Sequence, residues 1–564
     1  MINLISSTIE QIRTTILEAM GRCISEGFLP LEPCPDFLVE VPTDRSHGDF
    51  SANVALVSAK AFRLPPRKIA ELILQHMEFE GTMLLKAEIA GPGFINFFVS
   101  EVWYSSVLEG ISVEGSNYGT SNTYNGKKVM VEFVSANPTG PMHMGNARGG
   151  ALGDCLASVL ECAGYTVQRE FYVNDAGNQI EKFALSLEAR YLQIYLSEEN
   201  VPFPEDGYHG DDIMVRAKEF ADINGDSYVH SSMIERRTAL VDYALPKNVE
   251  KLKSDLEIYR IQYDNWFYES TLHKDGEIAE CIKILQEKGF TYEKDGALWY
   301  AATKYGADKD EVLIRANGNP TYFAADIAYH RNKFVTRSFD KVINVWGADH
   351  HGHVARLKGA MDAIGLDGSK LDIVLMQMVR LTRNGEVVRM SKRTGKAISL
   401  TDLLEEVPID AARFFFNLRE ANSHLEFDLQ LAVEQSSQNP VYYVQYAHAR
   451  IWSILKNLMA EGIQPRKCTN EELALLVAPE ERELIMHLAS LPMCIIEAAK
   501  AYEPARITRY VIDLATLFHK FYNAIRVKGE DEPLMQARLN LCICVRDVIK
   551  IVLDMLKITS PEKM

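Results

Sequence analysis

Residues 131–148 constrain this chain most. The β-branched, strand-like run from Val131 breaks at Asn137-Pro138, turns through Gly140 and Pro141, and opens a helix at about Ala147. A strand that feeds a helix N-terminus through a glycine turn leaves free backbone N–H groups and the positive end of the helix dipole beside the turn, which is the outline of a nucleotide-phosphate site. His143 and Asn146 add two side-chain donors, and Gly145, lacking a Cβ, lets a nucleotide approach the backbone. Four residues, His-Met-Gly-Asn, are weak on their own, because an ordinary turn with a helix-capping Asn reads the same way.

A second segment lies about 245 residues further on, at Val388-Arg389-Met390-Ser391-Lys392-Arg393. Between Arg380 and Lys396 there are six basic residues against the single acid Glu386, and Asn384-Gly385 and Gly395 mark turns. Read alone this is a basic surface loop. Around the two segments, apolar stretches (Val129–Val134, Thr166–Val173, Lys341–Trp346, Ile373–Val379) alternate with helical ones (Ala147–Ala163, His353–Ile364). Such alternation predicts an α/β fold with a parallel sheet and ligands at the carboxyl ends of its strands. The charged, helix-rich segment of about 182–260 reads as an insertion. Before this domain, residues 1–118 read as an α+β module: helices 8–25, 50–61 and 66–77 with strands Leu84–Ile89 and Phe94–Val99. From Ile409 the apolar period is 3.6, as in Ile507, Val511, Leu514 and Phe518, which predicts an all-α bundle. The expected domains are therefore 1–118, 119–405 and 406–564.

Composition narrows the class. At 564 residues the chain exceeds one core, its 47% hydrophobic and 24% charged content is that of a globular protein, and no apolar run approaches the roughly 20 residues a bilayer needs. Met1 to Ile24 reads as an amphipathic helix, with Glu10 and Glu18 interrupting any secretory segment. Nine scattered cysteines without a CxxC pair argue against a disulfide framework and a zinc site, so the cytoplasm is the expected compartment. A net charge of −17 opposes a phosphate-bearing partner as a whole-molecule sum, yet local basic patches suffice for such binding.

Taken together, His-Met-Gly-Asn after the first strand and Met-Ser-Lys after the last resemble the two signatures of class I aminoacyl-tRNA synthetases. The resemblance sharpens to the arginyl-tRNA synthetase family over nearly the whole chain: His47-Gly-Asp-Phe50, Pro65-Pro66-Arg67 and Gly91-Pro-Gly93 are similar to its N-terminal module, and Trp266-Phe-Tyr-Glu269-Ser270, Tyr322-Phe-Ala-Ala-Asp326 and Gly347-Ala-Asp349-His350-His351 to its pocket motifs. Ile409-Asp410-Ala-Ala-Arg413-Phe414 resembles the start of its anticodon-binding domain, with Ala412 where Leu or Val is usual. Ser560 to Met564 resembles its C-terminus, so the chain is expected to be complete.

The resemblance implies a Rossmann-type catalytic domain and site residues at matching positions. His143, Asn146 and Lys392 would be catalytic, the first two donating to the α-phosphate region as charge grows and Lys392 meeting phosphate in the transition state. Asn146 replaces the family's usual second histidine and can donate a hydrogen bond but carry no charge. Gly145, Gly347, Asp349, His350, Met378, Val379, Met390 and Ser391 would contact ATP. The His350/His351/His353 cluster also invites a metal reading, but nucleotide contacts are preferred because it follows a strand of the nucleotide fold, and no tightly bound metal is expected. Of the arginine-binding residues, Glu132, Ser135 and Asn137 would line the strand end beside His143, Asn137 holding the α-amino group. Glu269 and Asp326 would pair with the guanidinium, whose planar donors suit carboxylates, and Tyr322 would orient it. For tRNA, Asn96 and Phe98 are candidates in the first module and Tyr443, Tyr446 and Arg450 in the bundle, where aromatics interleave with polar groups as base-stacking platforms do; Tyr443 and Tyr446 read equally well as core.

The implied activity is ligation of arginine to tRNA(Arg) with ATP and Mg²⁺, by a monomer with no membrane association. Two rivals remain: another class I synthetase, or a catalytically silent tRNA-binding relative. A cysteine enzyme needs zinc-ligand spacing and the branched-aliphatic enzymes a long editing insertion, and a silent relative would be expected to lack His143 or Lys392.

Overall fold

The computed structural model describes residues 3–42, 44–389, 398–529 and 531–564. Its centre is a five-stranded sheet, every neighbour pair parallel, formed in chain order by Lys128–Glu132, Thr166–Val173, Asn265–Tyr268, Lys341–Gly347 and Leu371–Met376. Across the sheet these strands stand in the order third, second, first, fourth, fifth. The order reverses between the first and fourth strands, and a doubly wound sheet opens its ligand crevice at that switch point. Val129, Met130 and Val131 are wholly buried, which explains the unbroken apolar run of a strand covered on both faces.

The helix Met144–Cys162 follows the first strand and is buried almost all round. It sits close because Gly153 has no side chain: a Cβ there would overlap the Phe133 ring. The insertion consists of helices Asn178–Leu196, Asp211–Asn224 and Met233–Ile258 around a small core of its own, including Phe183, Leu187, Tyr191, Ile213 and Phe220.

In the N-terminal module, helices Leu4–Ser25, Val54–Phe62 and Pro66–Gln75 accompany a four-stranded antiparallel sheet. The helix expected from residue 50 starts at Val54 instead, because Phe50–Ala52 are buried and pair with Ile95–Phe97 as a strand. The module rests on the C-terminal helices, where Arg482 pairs with Glu101 at 2.9 Å and the Tyr118 hydroxyl donates to the Leu488 carbonyl at 3.0 Å.

Two further differences lie at the end of the sheet. The strand expected at Ile373–Val379 is two strands: Leu371–Met376 completes the parallel sheet, and Val379–Arg383 begins a small second one. Its partner is Leu425–Asp428, a strand inside the region expected to be all helix. Between the two strands, the Gln377 N–H donates to the Ala421 carbonyl at 2.9 Å, which turns the chain out of the parallel sheet. The long helices of the bundle follow, from Pro440–Ala460 to Glu532–Met555. No single helix among the described residues is long and apolar enough to cross a membrane.

Candidate active site

His143 is the N-cap of the helix Met144–Cys162 and holds extended backbone angles. Its Nδ1 accepts the Gly145 N–H at 3.1 Å, and its own backbone N–H donates to Asn146 Oδ1 at 3.0 Å. The pair forms a reciprocal capping box that satisfies two otherwise free donors. Though His143 is exposed overall, partial desolvation of its ring lowers its pKa from the usual histidine range, which favours the neutral form at pH 7. With Nδ1 accepting, the proton of the neutral ring sits on Nε2, which is the ring's donor.

The chain just after the second signature is stitched to this turn. Ser399 forms an antiparallel bridge with His143, and the Leu400 N–H donates to the Met142 carbonyl at 2.9 Å. Met390, Ser391 and Lys392 themselves lie outside the described residues. The pairing nevertheless brings the chain that leaves the basic loop to the mouth of the first turn, a closeness no linear reading could supply.

On the other side of the switch point, Gly347 ends the fourth strand in register with Met376. Asp349 and His350 are exposed with side chains 3.6 Å apart, and Trp346 packs against the rings of His350 and His353 at 5.9 and 5.6 Å. Met378 is 80% exposed. Its backbone is fixed from behind by Arg148, which donates to the Gln377 carbonyl at 2.7 Å and to the Glu420 carbonyl at 2.9 Å. Arg148 is wholly buried, and desolvation lowers its pKa to about 10, which leaves it charged at neutral pH. A buried guanidinium held by two carbonyls thus anchors the segment expected to line the adenine.

The expected arginine residues lie at the carboxyl ends of the first and third strands and at the start of the helix Tyr322–Arg331. Glu269 is 3% exposed, and Tyr172 donates to its Oε2 at 2.9 Å. Desolvation, with the nearby charges of Asp326 and Asp175, raises the Glu269 pKa to about 7 despite that hydrogen bond. Asp326 Oδ2 lies 2.8 Å from His353 Nε2. The Tyr322 hydroxyl accepts the Gln179 N–H at 3.2 Å, at the start of the insertion. Ser135 donates to Glu132 Oε1 at 3.0 Å and accepts the Tyr172 N–H at 3.1 Å. Val134 and Ser135 hold φ of 67° and 40°, a left-handed conformation that costs energy for residues with side chains. Asn137 is exposed beside them. Two carboxyls, one buried at Glu269 and one half-buried at Asp326, thus stand close enough for their charges to interact.

The tRNA candidates divide. Asn96 is 5% exposed and its Oδ1 accepts a hydrogen bond from Ser51 at 2.8 Å, so little of its side chain reaches the surface of the free chain. Phe98 is half-buried, with the Lys86 ammonium 4.4 Å above its ring. In the bundle, Tyr446 is 41% exposed and stacks on His519 at 5.9 Å, while Tyr443 is half-buried against the same ring at 4.9 Å. Arg450 lies over Tyr522 at 4.3 Å. Among the described residues no cluster of His, Cys, Asp and Glu could hold a metal ion. Sequence reasoning gave no role to Tyr172, Arg148 or Lys333, and read His353 only within its histidine cluster. Charged residues inside otherwise apolar helical faces were the available signal for Arg148 and Lys333; Tyr172 offered none.

A parallel sheet wound in this order, with a His-x-Gly turn at its switch point and a helical bundle behind, defines a class I aminoacyl-tRNA synthetase. Family models match in three parts: arginyl tRNA synthetase N terminal domain over residues 9–99, tRNA synthetases class I (R), catalytic domain over 108–452, and DALR anticodon binding domain over 444–564. The arginine–tRNA ligase of Acetivibrio thermocellus is 56% identical over 564 residues, covering all of both chains, and that of Caldanaerobacter subterraneus subsp. tengcongensis is 57% identical over 562 residues with the same coverage. The solved arginyl-tRNA synthetase of Thermus thermophilus shares the fold, with a TM-score of 0.73 at 23% identity over 97% of this chain and 99% of its own. The chain belongs to the arginyl-tRNA synthetase family.

Proposed function

We propose that this chain is an arginine–tRNA ligase working in two steps at the switch point of its sheet. In the first, the α-carboxylate of arginine attacks the α-phosphorus of ATP, giving arginyl-adenylate and releasing pyrophosphate. In the second, the 2′-hydroxyl of the terminal tRNA ribose attacks the acyl carbon and AMP leaves. Glu269 and Asp326 take the guanidinium, with Tyr172 and Tyr322 ordering the pocket. Glu132, Ser135 and Asn137 take the α-amino side. His143 donates through Nε2 to phosphate oxygen as negative charge grows, and Asn146 turns its amide NH₂ to the same place. Lys392 adds positive charge from the basic loop, and Mg²⁺ enters with the phosphates of ATP. Gly347, Asp349, His350 and the backbone at Met378 and Val379 hold the nucleoside. Tyr446, Tyr443, Arg450 and Phe98 face tRNA, and the domains divide near 118 and 405.

The observation that carries this reading is the placing of the buried carboxyl of Glu269 beside the half-buried one of Asp326, where burial, with the charges of Asp326 and Asp175, pushes Glu269 up to about 7 and a bound guanidinium would relieve it. ATP–pyrophosphate exchange measured across the amino acids, with and without tRNA, tests it. Exchange should occur with arginine alone and depend on tRNA. Exchange with a different amino acid, or none under any condition, overturns the reading.

A further inference from the structure

The helix Tyr322–Arg331 does not end at Arg331; residues Asn332–Thr336 continue it as a π-helical turn. Single π turns are rare and often lie at functional sites. This one carries Lys333 under the carboxyl ends of the first and fourth strands, where it is wholly buried. The Lys333 ammonium lies 2.5 Å from Glu132 Oε2 and 3.2 Å from Asn344 Oδ1, with the Tyr329 ring centroid 3.9 Å away. Glu132 and Asn344 are register partners on adjacent strands, so one ammonium ties the two strands together at the switch point.

From each partner the hydrogen bonds run on toward the pocket. Glu132 Oε1 accepts from Ser135, inside the turn where Val134 and Ser135 hold left-handed backbone. Asn344 Nδ2 faces His330 Nε2 at 3.0 Å, and His330 Nδ1 lies 2.8 Å from the Asp326 carbonyl. Desolvation keeps His330 neutral, so one ring nitrogen accepts from Asn344 and the other donates to Asp326. The chain Ser135, Glu132, Lys333, Asn344, His330, Asp326 therefore joins the two ends of the arginine site through the interior.

A buried ion pair is a poor stabiliser, since an apolar pair of like volume often does as well. Strained backbone such as the Val134-Ser135 turn persists only where its surroundings over-determine it. Both points favour a role in the site over one in the core. We propose that Lys333 is a positioning residue for arginine recognition, pinning Glu132 and with it the Ser135 turn at one end of the pocket, and bracing the Asp326 turn at the other. This rests on the reading of Glu132 to Asn137 as the α-amino side of the arginine site.

The test is a double-mutant cycle in the full-length enzyme, with KM measured separately for arginine and ATP. Lys333→Met should raise the arginine KM by about tenfold or more, because it leaves Glu132 buried without its counter-charge, and leave the ATP KM within about twofold. Glu132→Gln should raise the arginine KM similarly. In the Glu132→Gln background, adding Lys333→Met should cost less than about twofold more, since the two act as one unit. Full additivity, or equal rises in both KM values, makes Lys333 merely a fold residue. If Glu132→Gln has an effect and Lys333→Met has none, this inference falls while the site reading stands; if Glu132→Gln itself has none, the site reading falls with it. Should Lys333→Met fail to fold by circular dichroism, Asn344→Leu removes the second acceptor. A rise of about threefold or more in the arginine KM alone then supports the role, and an unchanged value overturns it.

Discussion

The imidazole Nε2 of His353 stands 2.8 Å from Oδ2 of Asp326, joining a residue at the start of the helix after the fourth strand to one at the start of the helix before it. One carboxylate oxygen is thereby held, leaving Oδ1 for a ligand. His353 thus holds one side of Asp326 in place.

Asp326→Asn keeps the volume of that side chain but removes the charge proposed to face the arginine guanidinium. It should lower kcat/KM for arginine by about 2–4 kcal/mol of transition-state binding. His353→Ala, which frees the carboxylate to rotate, should cost about tenfold. Steady-state aminoacylation of the folded variants decides it; an unaltered kcat/KM in Asp326→Asn removes the residue from the pocket.

Glu269 supplies a pH signature. Its carboxyl is raised to about 7 in the free enzyme by burial and by Asp326 and Asp175. A bound guanidinium favours the ionised form, so arginine binding must expel a proton below that pH. The arginine KM should therefore rise by about tenfold per unit as the pH falls below about 7, and level off above it. Stability of the free enzyme has the opposite sign. Between the unfolded value near 4.5 and about 7 the folded state holds more protons, so stability is greatest at the acid end of that window and is lost as pH rises through it. A Glu269→Gln variant should lose both dependences. A flat arginine KM between about pH 6 and 8 at saturating ATP and tRNA would contradict the assignment.

Much of this architecture was legible because strands buried on both faces read as unbroken apolar runs, as at Val129–Val131 and Ile343, and because helical periodicity persists through the bundle. The strand Asn265–Tyr268 was readable only as a motif, being four half-buried residues at the sheet edge. Leu425–Asp428 escaped because its partner, Val379–Arg383, is remote in sequence. The site followed the same rule. His143, Glu269 and Asp326 stand in motifs, whereas Lys333, His353, Tyr172 and Arg148 gain their roles only from neighbours that folding brings in.

Arg413 marks where the C-terminal region is keyed into the catalytic domain. It is wholly buried, and its guanidinium meets Asp154 at 2.5 Å, the Tyr259 carbonyl at 3.0 Å and the Leu556 carbonyl at 2.9 Å. Arg413→Met leaves Asp154 buried with Arg169, at 3.1 Å, as its one remaining cation partner among the described residues. The loss should be about 3–5 kcal/mol in denaturant unfolding, with the arginine KM of the surviving folded enzyme little changed. A midpoint within error of the parent would show that Arg169 alone suffices.

Asn146 has two separable tasks. Its Oδ1 accepts the His143 N–H at 3.0 Å and closes the capping box, while its NH₂ is the end left to reach phosphate. Asn146→Asp retains the acceptor, so the cap and the melting temperature should hold, and a carboxylate at a helix N-terminus is if anything favourable. The same change deletes the donor and sets a negative charge where α-phosphate charge grows. It should therefore lower kcat/KM for ATP by about tenfold to a hundredfold. Asn146→Ala should lose about 1 kcal/mol of stability with the cap and, because it adds no repulsion, fall less in activity than the aspartate. Asn146→His restores a donor and should stay within about tenfold of the parent at neutral pH, gaining a pH dependence near its titration. Thermal unfolding alongside ATP kinetics separates the tasks: if the aspartate variant is as active as the parent, Asn146 is a cap alone, and the charge stabilisation rests on His143 and Lys392.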